Sequence, residues 1–353
     1  MNDSNEYIAG IKKVIRAIPD IKKIFGKNIF ITGGTGMIGS ALIDIIFYLN
    51  EYKDAEIRLI IAGRNKEKIR HHFVGRQEGK DFSFVYYDAT QYVIPDIHAD
   101  YIIHGASNAD PQMFVKEPVE TMLANFVGLD VLLKAAIKNH VRRVLYISSS
   151  EIYGKKQSCE KPYTETDYGY VDLLNPRACY PSAKRAAETL CAAYALEYDL
   201  DTVIVRPGHI YGSTITTKDS RASAQFTRNA IEKKAIVMKS DGHQMRSYCH
   251  VLDCASAIFT VLLKGEKGEA YNISNPNSVL TIREFAEQMA RIANVDILFE
   301  NPTDSECRGY NFMENSSLSS KKLEGLGWKG NISILEGINE TIKTLSLKIV
   351  TNK

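Results

Sequence analysis

The sequence predicts an α/β fold, a doubly wound parallel sheet joined to a smaller C-terminal α/β domain. Three observations predict it. Short apolar, strand-like runs recur with helical stretches between them. Most of these runs are continuous in Val, Ile, Leu and Tyr rather than alternating, as strands covered on both faces should be. The first of them ends in a glycine-punctuated turn that opens an amphipathic helix. Helices placed between such strands imply crossover connections, and therefore parallel pairing.

Taken in order, residues 1–27 carry an amphipathic stretch (Tyr7, Ile8, Ile11, Val14, Ile15) broken by Lys and Arg. It is neither a signal-peptide core nor an anchor, and reads as a short helix docked outside the fold. Strands are expected at Ile29–Thr32, Ile57–Ala62, Phe82–Tyr87, Tyr101–His104, Val144–Ser148, Val203–Arg206 and Ala270–Ile273. After Arg206-Pro207 the alternation weakens, and Tyr211–Ser220 is loop-like, rich in Thr, Ser and Gly. From Thr281 a helix, a short apolar run, a polar loop and a closing helix follow. The expected division is an N-terminal helical extension over 1–27, a dinucleotide-binding domain made of 28–207 and 250–275, and a substrate-binding domain made of 208–249 and 276–353. The last would fold over the carboxyl ends of the strands, where open α/β sheets bind ligands.

Composition sets bounds. A chain of 353 residues holds one large or two modest domains and can bury a sizeable core. A hydrophobic content of 44% with 24% charged residues is that of an ordinary globular chain. A net charge of +2 argues against a nucleic-acid or membrane surface as partner. No apolar run reaches the roughly 18 to 20 residues of a membrane span. The six cysteines, Cys159, Cys179, Cys191, Cys249, Cys254 and Cys307, form no C-x-x-C pair and have no His at zinc spacing. No metal site is expected, and reduced, mostly buried thiols in a cytoplasmic protein are.

The chemistry begins at Thr32-Gly33-Gly34-Thr35-Gly36-Met37-Ile38-Gly39. Gly33 lets the chain turn sharply, Gly36 lets backbone approach a pyrophosphate, and Gly39 lets the helix pack against its strand. The helix N-terminus presents free N–H groups and partial positive charge to the phosphates. A dinucleotide cofactor held by Gly33, Thr35, Gly36, Met37 and Ile38 is the expectation.

A second constellation lies at Tyr180-Pro181-Ser182-Ala183-Lys184, at the head of a helix. Residues four apart share a helix face, so phenol and ammonium point into one pocket. A free tyrosine ionises near pH 10, too high for a base at neutrality. An ammonium about 4 Å away, at an effective dielectric near 20, is worth roughly 4 kcal/mol, or about three pK units. Upstream, the fifth strand ends in Ser148-Ser149-Ser150-Glu151, hydroxyls and a carboxylate where substrate should lie. Ser149 is placed to hydrogen-bond the hydroxyl that Tyr180 deprotonates.

With these residues the chain resembles extended short-chain dehydrogenases/reductases, the NAD-dependent epimerase/dehydratase family acting on nucleotide sugars. The resemblance runs from Asn28 to about Thr344. Besides the motifs above it takes in Asp88, Asn125-Phe126-Val127-Gly128, Tyr211-Gly212, Gly242-x-Gln244-x-Arg246, Asp253 and Gly327-Trp328. It implies a Rossmann domain that binds NAD, with Asp88 holding the adenine and Ala89, His104, Ala106, Pro207, Tyr180 and Lys184 also at the cofactor. It implies a substrate site drawn from Ser107, Asn108, Glu151, His209, Gln225 and Arg246, with Arg246 clamping the diphosphate.

Three features point to a branch. His104-Gly105-Ala106-Ser107-Asn108-Ala109-Asp110-Pro111 resembles the H-x-A-S-x-A-x-P stretch of UDP-glucuronate decarboxylases. Ser149-Ser150-Glu151 resembles the Thr-Ser-Glu of those decarboxylases and of GDP-mannose dehydratases, and Ser182-x-Lys184-Arg185-x-Ala187-Glu188-Thr189 is shared with the decarboxylase group. Ser150 stands where dTDP-glucose 4,6-dehydratases place the Asp that protonates the departing 6-hydroxyl. The implied reaction is a transient oxidation at carbon 4, with Tyr180, Lys184, Ser149, Ser150 and Glu151 as the catalytic set, leading to decarboxylation or dehydration. A 4-epimerase uses the same chemistry, and an NADPH-dependent keto-sugar reductase is the further alternative. Ala62-Gly63-Arg64-Asn65 lacks the acid that usually binds the ribose 2′-hydroxyl, and Arg64 would suit a 2′-phosphate, so NADP stays open beside NAD. His209 replaces an asparagine of the family, and Lys239 and Ser240 replace aromatic and glycine residues beside the base. Relatives pair through a four-helix bundle; Val119–Lys138 and Ala183–Tyr198 would supply it in a homodimer.

Overall fold

A computed structural model describes residues 4–156, 161–303, 311 and 313–351. Its centre is a sheet of seven parallel strands: β1 (Asn28–Thr32), β2 (Arg58–Gly63), β3 (Ser83–Tyr86), β4 (Tyr101–His104), β5 (Arg143–Ile147), β6 (Thr202–Pro207) and β10 (Ala270–Ile273). The order across the sheet is β10-β6-β5-β4-β1-β2-β3. Every expected strand is present within a residue or two at its ends. The order reverses between β1 and β4, so the chain leaves those two strands in opposite directions and a crevice opens beyond their carboxyl ends.

Helices cover both faces. On one side, α2 (Met37–Lys53) and α8 (Val251–Lys264) bury Ile43, Ile46, Ile258 and Phe259 against Ile29, Ile31 and Val205, and Ile69 of α3 (Lys66–His72) joins them. On the other, α5 (Pro118–Lys138) and α6 (Cys179–Glu197) bury Leu129, Leu132, Ala187 and Cys191 against Phe30, Ile102 and Ile204. α4 (Pro111–Lys116) precedes α5. Continuous apolar strands follow from this double cover.

The N-terminal segment corrects an expectation. α1 (Asn5–Ile15) does not dock outside the fold: Tyr7, Ile11 and Val14 are fully buried in the same core as α2 and α8. The Tyr7 hydroxyl donates to Asp44 at 3.0 Å, and Ser4 and Thr344 hydroxyls meet at 2.6 Å. The apolar stripe of α1 was legible; the surface that receives it belongs to residues distant in the chain.

A second core gathers Tyr211, Phe226, Met238, Tyr248, Phe285 and Ile338. It is built from β7 (His209–Tyr211), α7 (Ala222–Ile231), β8 (Ile236–Met238), β9 (Met245–His250), α9 (Ile282–Ala293) and the closing helix Ile334–Thr351. β9 pairs antiparallel with β11 (Val279–Thr281) and parallel with β7 and with β13 (Asn315–Ser316), while β12 (Ile297–Phe299) pairs with β8. α8 returns directly from β9 to the main sheet. The buried Asp253 carboxylate accepts the Asn331 and Ile332 backbone N–H groups, and Trp328 donates to Ser256 at 2.9 Å, which fastens the C-terminal chain to α8. Among the described residues, no helix is long and apolar enough to cross a membrane.

Candidate active site

The glycine turn sits at the carboxyl end of β1. Gly33 has φ +73°, and a Cβ there would lie 2.7 Å from the Gly105 backbone beyond β4. A Cβ on Gly39 would lie 2.2 Å from the Gly33 carbonyl oxygen, so this glycine admits the turn itself against the helix. Its expected role was helix-to-strand packing; the contact is with the turn. Gly36, the N-cap of α2, offers no side-chain cap to the first-turn N–H groups at Met37 and Ile38. Uncapped amides beside a backbone cradle that any Cβ would fill are what a pyrophosphate requires. Thr214 donates to the Met37 carbonyl at 2.8 Å and ties the loop after β7 to this helix.

Thr32 organises the neighbouring strand ends. Its hydroxyl oxygen accepts the Gly105 and Ala106 N–H groups at 3.1 and 3.0 Å. With its lone pairs so used, its proton points at Nδ1 of His104, 2.7 Å away. His104 is therefore the neutral tautomer carrying hydrogen on Nε2, and burial, with Lys184 nearby, pushes its pKa down to about 3. Among the described residues, its Nε2 and the Tyr87 hydroxyl are buried without a hydrogen-bond partner. Gly128 is what lets Ala89 and Tyr87 approach α5, since a Cβ there would lie 2.7 Å from each. Asp88 caps Thr90 through one oxygen, at 3.0 Å to the N–H and 2.8 Å to the hydroxyl. Arg64 is exposed just past β2, and Pro207 is buried at the end of β6 opposite Ile273.

Tyr180 and Lys184 lie on the first turn and a half of α6, both buried. The Tyr180 phenol hydrogen-bonds Ser149. Lys184 donates to the Ile147 carbonyl at 2.7 Å and sits 4.6 Å over the Tyr146 ring, with the Tyr180 ring centre 5.7 Å away. Here the electrostatic expectation is corrected. Burial, then the Glu151 carboxylate, push the phenol up to about 12, against the Ser149 hydrogen bond and the Arg221 and Arg177 cations. Burial brings the Lys184 ammonium down to about 7. Desolvation is the largest cause of both shifts, because both groups leave water together.

Ser149 also caps the short turn Ser150–Tyr153, accepting Glu151 N–H at 3.2 Å. Ser150 is buried on that turn. Glu151 meets a residue that the sequence reading did not single out: Arg177 grips both its carboxylate oxygens, at 2.8 and 3.0 Å. Arg177 lies 4.9 Å over the Phe114 ring of α4, and Phe114 stacks on Tyr180 at 4.4 Å with 15° between planes. Arg177 stands three residues before Tyr180, but no spacing rule links them to residues 114 and 151; only the fold brings all four together. Arg185 holds the same turn from behind through the Ile152, Tyr153 and Gly169 carbonyls.

The remaining residues expected at the substrate divide. Arg246 is buried and donates to the Met245 and Met313 carbonyls at 2.9 and 2.8 Å. Among the described residues it has no carboxylate within salt-bridge distance. His209 reaches Ser316 at 3.3 Å, and burial next to Arg246 and Arg221 holds its pKa well below the usual value. Gln225 turns back to the Ser220 carbonyl at 2.6 Å, and Ser107 to the Asn108 carbonyl at 3.2 Å. Arg221, also missed from sequence, pairs with Asp219 at 2.6 Å and touches Met37.

The model of the NAD dependent epimerase/dehydratase family matches residues 29–274. UDP-glucuronic acid decarboxylase 1 of Danio rerio is 28% identical over 92% of this chain and 73% of its own. UDP-glucuronic acid decarboxylase 3 of Arabidopsis thaliana is 30% identical over 88% of this chain and 86% of its own. Two solved structures share the fold: the UDP-glucose 4-epimerase of Thermotoga maritima (TM-score 0.75, 22% identity, 91% of this chain and 99% of that one) and the dTDP-glucose 4,6-dehydratase of Bacillus anthracis in complex with NAD (TM-score 0.73, 23% identity, 90% and 96%). With the glycine cradle, the parallel sheet and the family match over most of its length, the chain belongs to the NAD-dependent epimerase/dehydratase family.

Proposed function

We propose that this protein is a nucleotide-sugar decarboxylase that oxidises its substrate transiently at carbon 4. The observation that carries the proposal is the convergence of Tyr180, Ser149 and Glu151 at the end of β5, with a serine, Ser150, between the last two. NAD, when bound, supplies the hydride acceptor at carbon 4, returns the hydride, and brings a positive ring that favours the phenolate. Tyr180 removes the proton of the 4-hydroxyl while Ser149 holds that oxygen, and Lys184 fixes the strand end through Ile147. The 4-keto group makes a carboxylate on carbon 6 a β-keto acid; carbon dioxide leaves and its bonding electrons enter the C4–C5 enolate. Glu151 orients the ring and moves the proton that carbon 5 then takes up. A serine hydroxyl is too weak an acid to protonate a departing 6-hydroxyl, so Ser150 speaks against dehydration of the dTDP-glucose type.

Arg246, buried and without a carboxylate partner among the described residues, is assigned to the diphosphate, which would supply the anion. The segments 208–249 and 276–353 serve as the substrate-binding part, and residues 28–207 with 250–275 hold the cofactor. α5 exposes Val119, Met122, Leu123 and Phe126 on one face, and Leu196 of α6 is 90% exposed. A second copy would cover this stripe, making the protein a homodimer. The functional test is incubation of the NAD-loaded protein with UDP-glucuronate. A UDP-pentose with release of carbon dioxide supports the reading. Interconversion of UDP-glucose and UDP-galactose with no action on UDP-glucuronate replaces it with 4-epimerisation.

A further inference from the structure

Glu151 cannot act on a sugar while both of its oxygens are held by Arg177. The pair is part-buried, with side chains 11% exposed for Arg177 and 20% for Glu151, so separating the two without a replacement partner is costly. Arg177 is also fixed in direction. Its guanidinium lies on Phe114, which lies on Tyr180, and its fork is held on the turn that carries Glu151. Beside the pair is a cavity of about 210 Å³ lined by Glu151, Asn175, Arg177, Pro181 and Met313. For Glu151 to be released, a second acceptor must take its place on the fork.

We propose that Arg177 is the receptor for the carboxylate of the sugar, and that Glu151 occupies the fork until substrate displaces it. This rests on the reading above, in which the sugar is oxidised at carbon 4 with carbon 5 near Glu151. A carboxylate on carbon 5 then lies next to the position Glu151 holds, and its planar pair of oxygens matches the fork as Glu151 does. The exchange does two things together: it satisfies the guanidinium and frees Glu151 for carbon 5. A neutral hydroxymethyl group competes poorly for a bidentate cation and leaves Glu151 bound. Arg177 thus selects acidic sugars, a specificity that the fold alone does not impose.

The experiment is calorimetric titration of NAD-loaded wild type, Arg177→Gln, Arg177→Lys and Glu151→Gln with UDP-glucuronate, UDP-glucose and UDP. Wild type is expected to prefer UDP-glucuronate over UDP-glucose at least tenfold. Arg177→Gln should erase that preference while UDP and UDP-glucose bind within about twofold of wild type, and Arg177→Lys should keep part of it. Glu151→Gln, which removes the competing anion, should bind UDP-glucuronate several-fold more tightly. The inference is overturned by a preference that survives Arg177→Gln, by its absence in wild type, by equal weakening of all three ligands, or by unchanged affinity in Glu151→Gln. Failure of the parent reading shows differently: wild type binds UDP-glucuronate through Arg177 yet releases no carbon dioxide.

Discussion

Thr32 and His104 are joined side chain to side chain at 2.7 Å, across the two strands between which the sheet reverses direction. The bond fixes the imidazole as a neutral acceptor, and its buried environment keeps it so, with a pKa of about 3. The folded value lies below the unfolded one, so the neutral form is what the fold requires. Stability from this group is complete above pH 6.5 and is lost as pH falls toward 3. Between pH 6.5 and 4.5 the loss should amount to about 2 to 3 kcal/mol. Urea unfolding of His104→Gln should show a correspondingly flatter acid limb than wild type. An identical limb would show that His104 is not the group responsible.

Tyr180→Phe removes one oxygen from a pocket that keeps its shape through the Phe114 stack. Turnover should fall by about two to four orders of magnitude, with NAD still bound at a near-normal level. Full activity in this variant would dismiss Tyr180 as the base.

Gly39→Ala should not be a mild change. The added methyl would meet a backbone oxygen 2.2 Å away, and no side-chain rotation relieves that. A destabilisation of about 3 kcal/mol is expected, together with weakened NAD binding, because the displaced Gly33 belongs to the cradle. Thermal melting with and without NAD reads both effects.

Tyr7→Ala tests whether the N-terminal helix belongs to the core. Tyr7 is fully buried and its hydroxyl engages Asp44. Loss of about 3 to 5 kcal/mol is expected, although the side chain lies in neither of the two constellations that carry the chemistry. A change below about 1 kcal/mol would return α1 to the status of an appendage.

Leu123→Asp combined with Phe126→Asp places two charges on the exposed stripe of α5. Sedimentation should show a dimer in wild type and a monomer in the double variant, with the secondary structure unchanged by circular dichroism. A monomeric wild type would refute the pairing.

The sequence by itself determined the sheet, its parallel sense and the glycine turn at the head of α2. Each depends on neighbours in the chain: continuous apolar runs for double cover, glycines at fixed offsets, a tyrosine and lysine one helical turn apart. Where the sequence reading erred, the deciding quantity was environment. Tyr180 and Lys184 stand four residues apart on one helix, but that spacing says nothing of the shared burial that moves the phenol up to about 12 and the ammonium down to about 7. α1 was seen as amphipathic, but the groove that buries Tyr7 is made by helices hundreds of residues apart. Arg177 carried no local signal, since its partners Glu151 and Phe114 come from different connections over the sheet. Burial and cross-chain pairing depend on which surfaces meet, and that is decided only when the whole chain has packed.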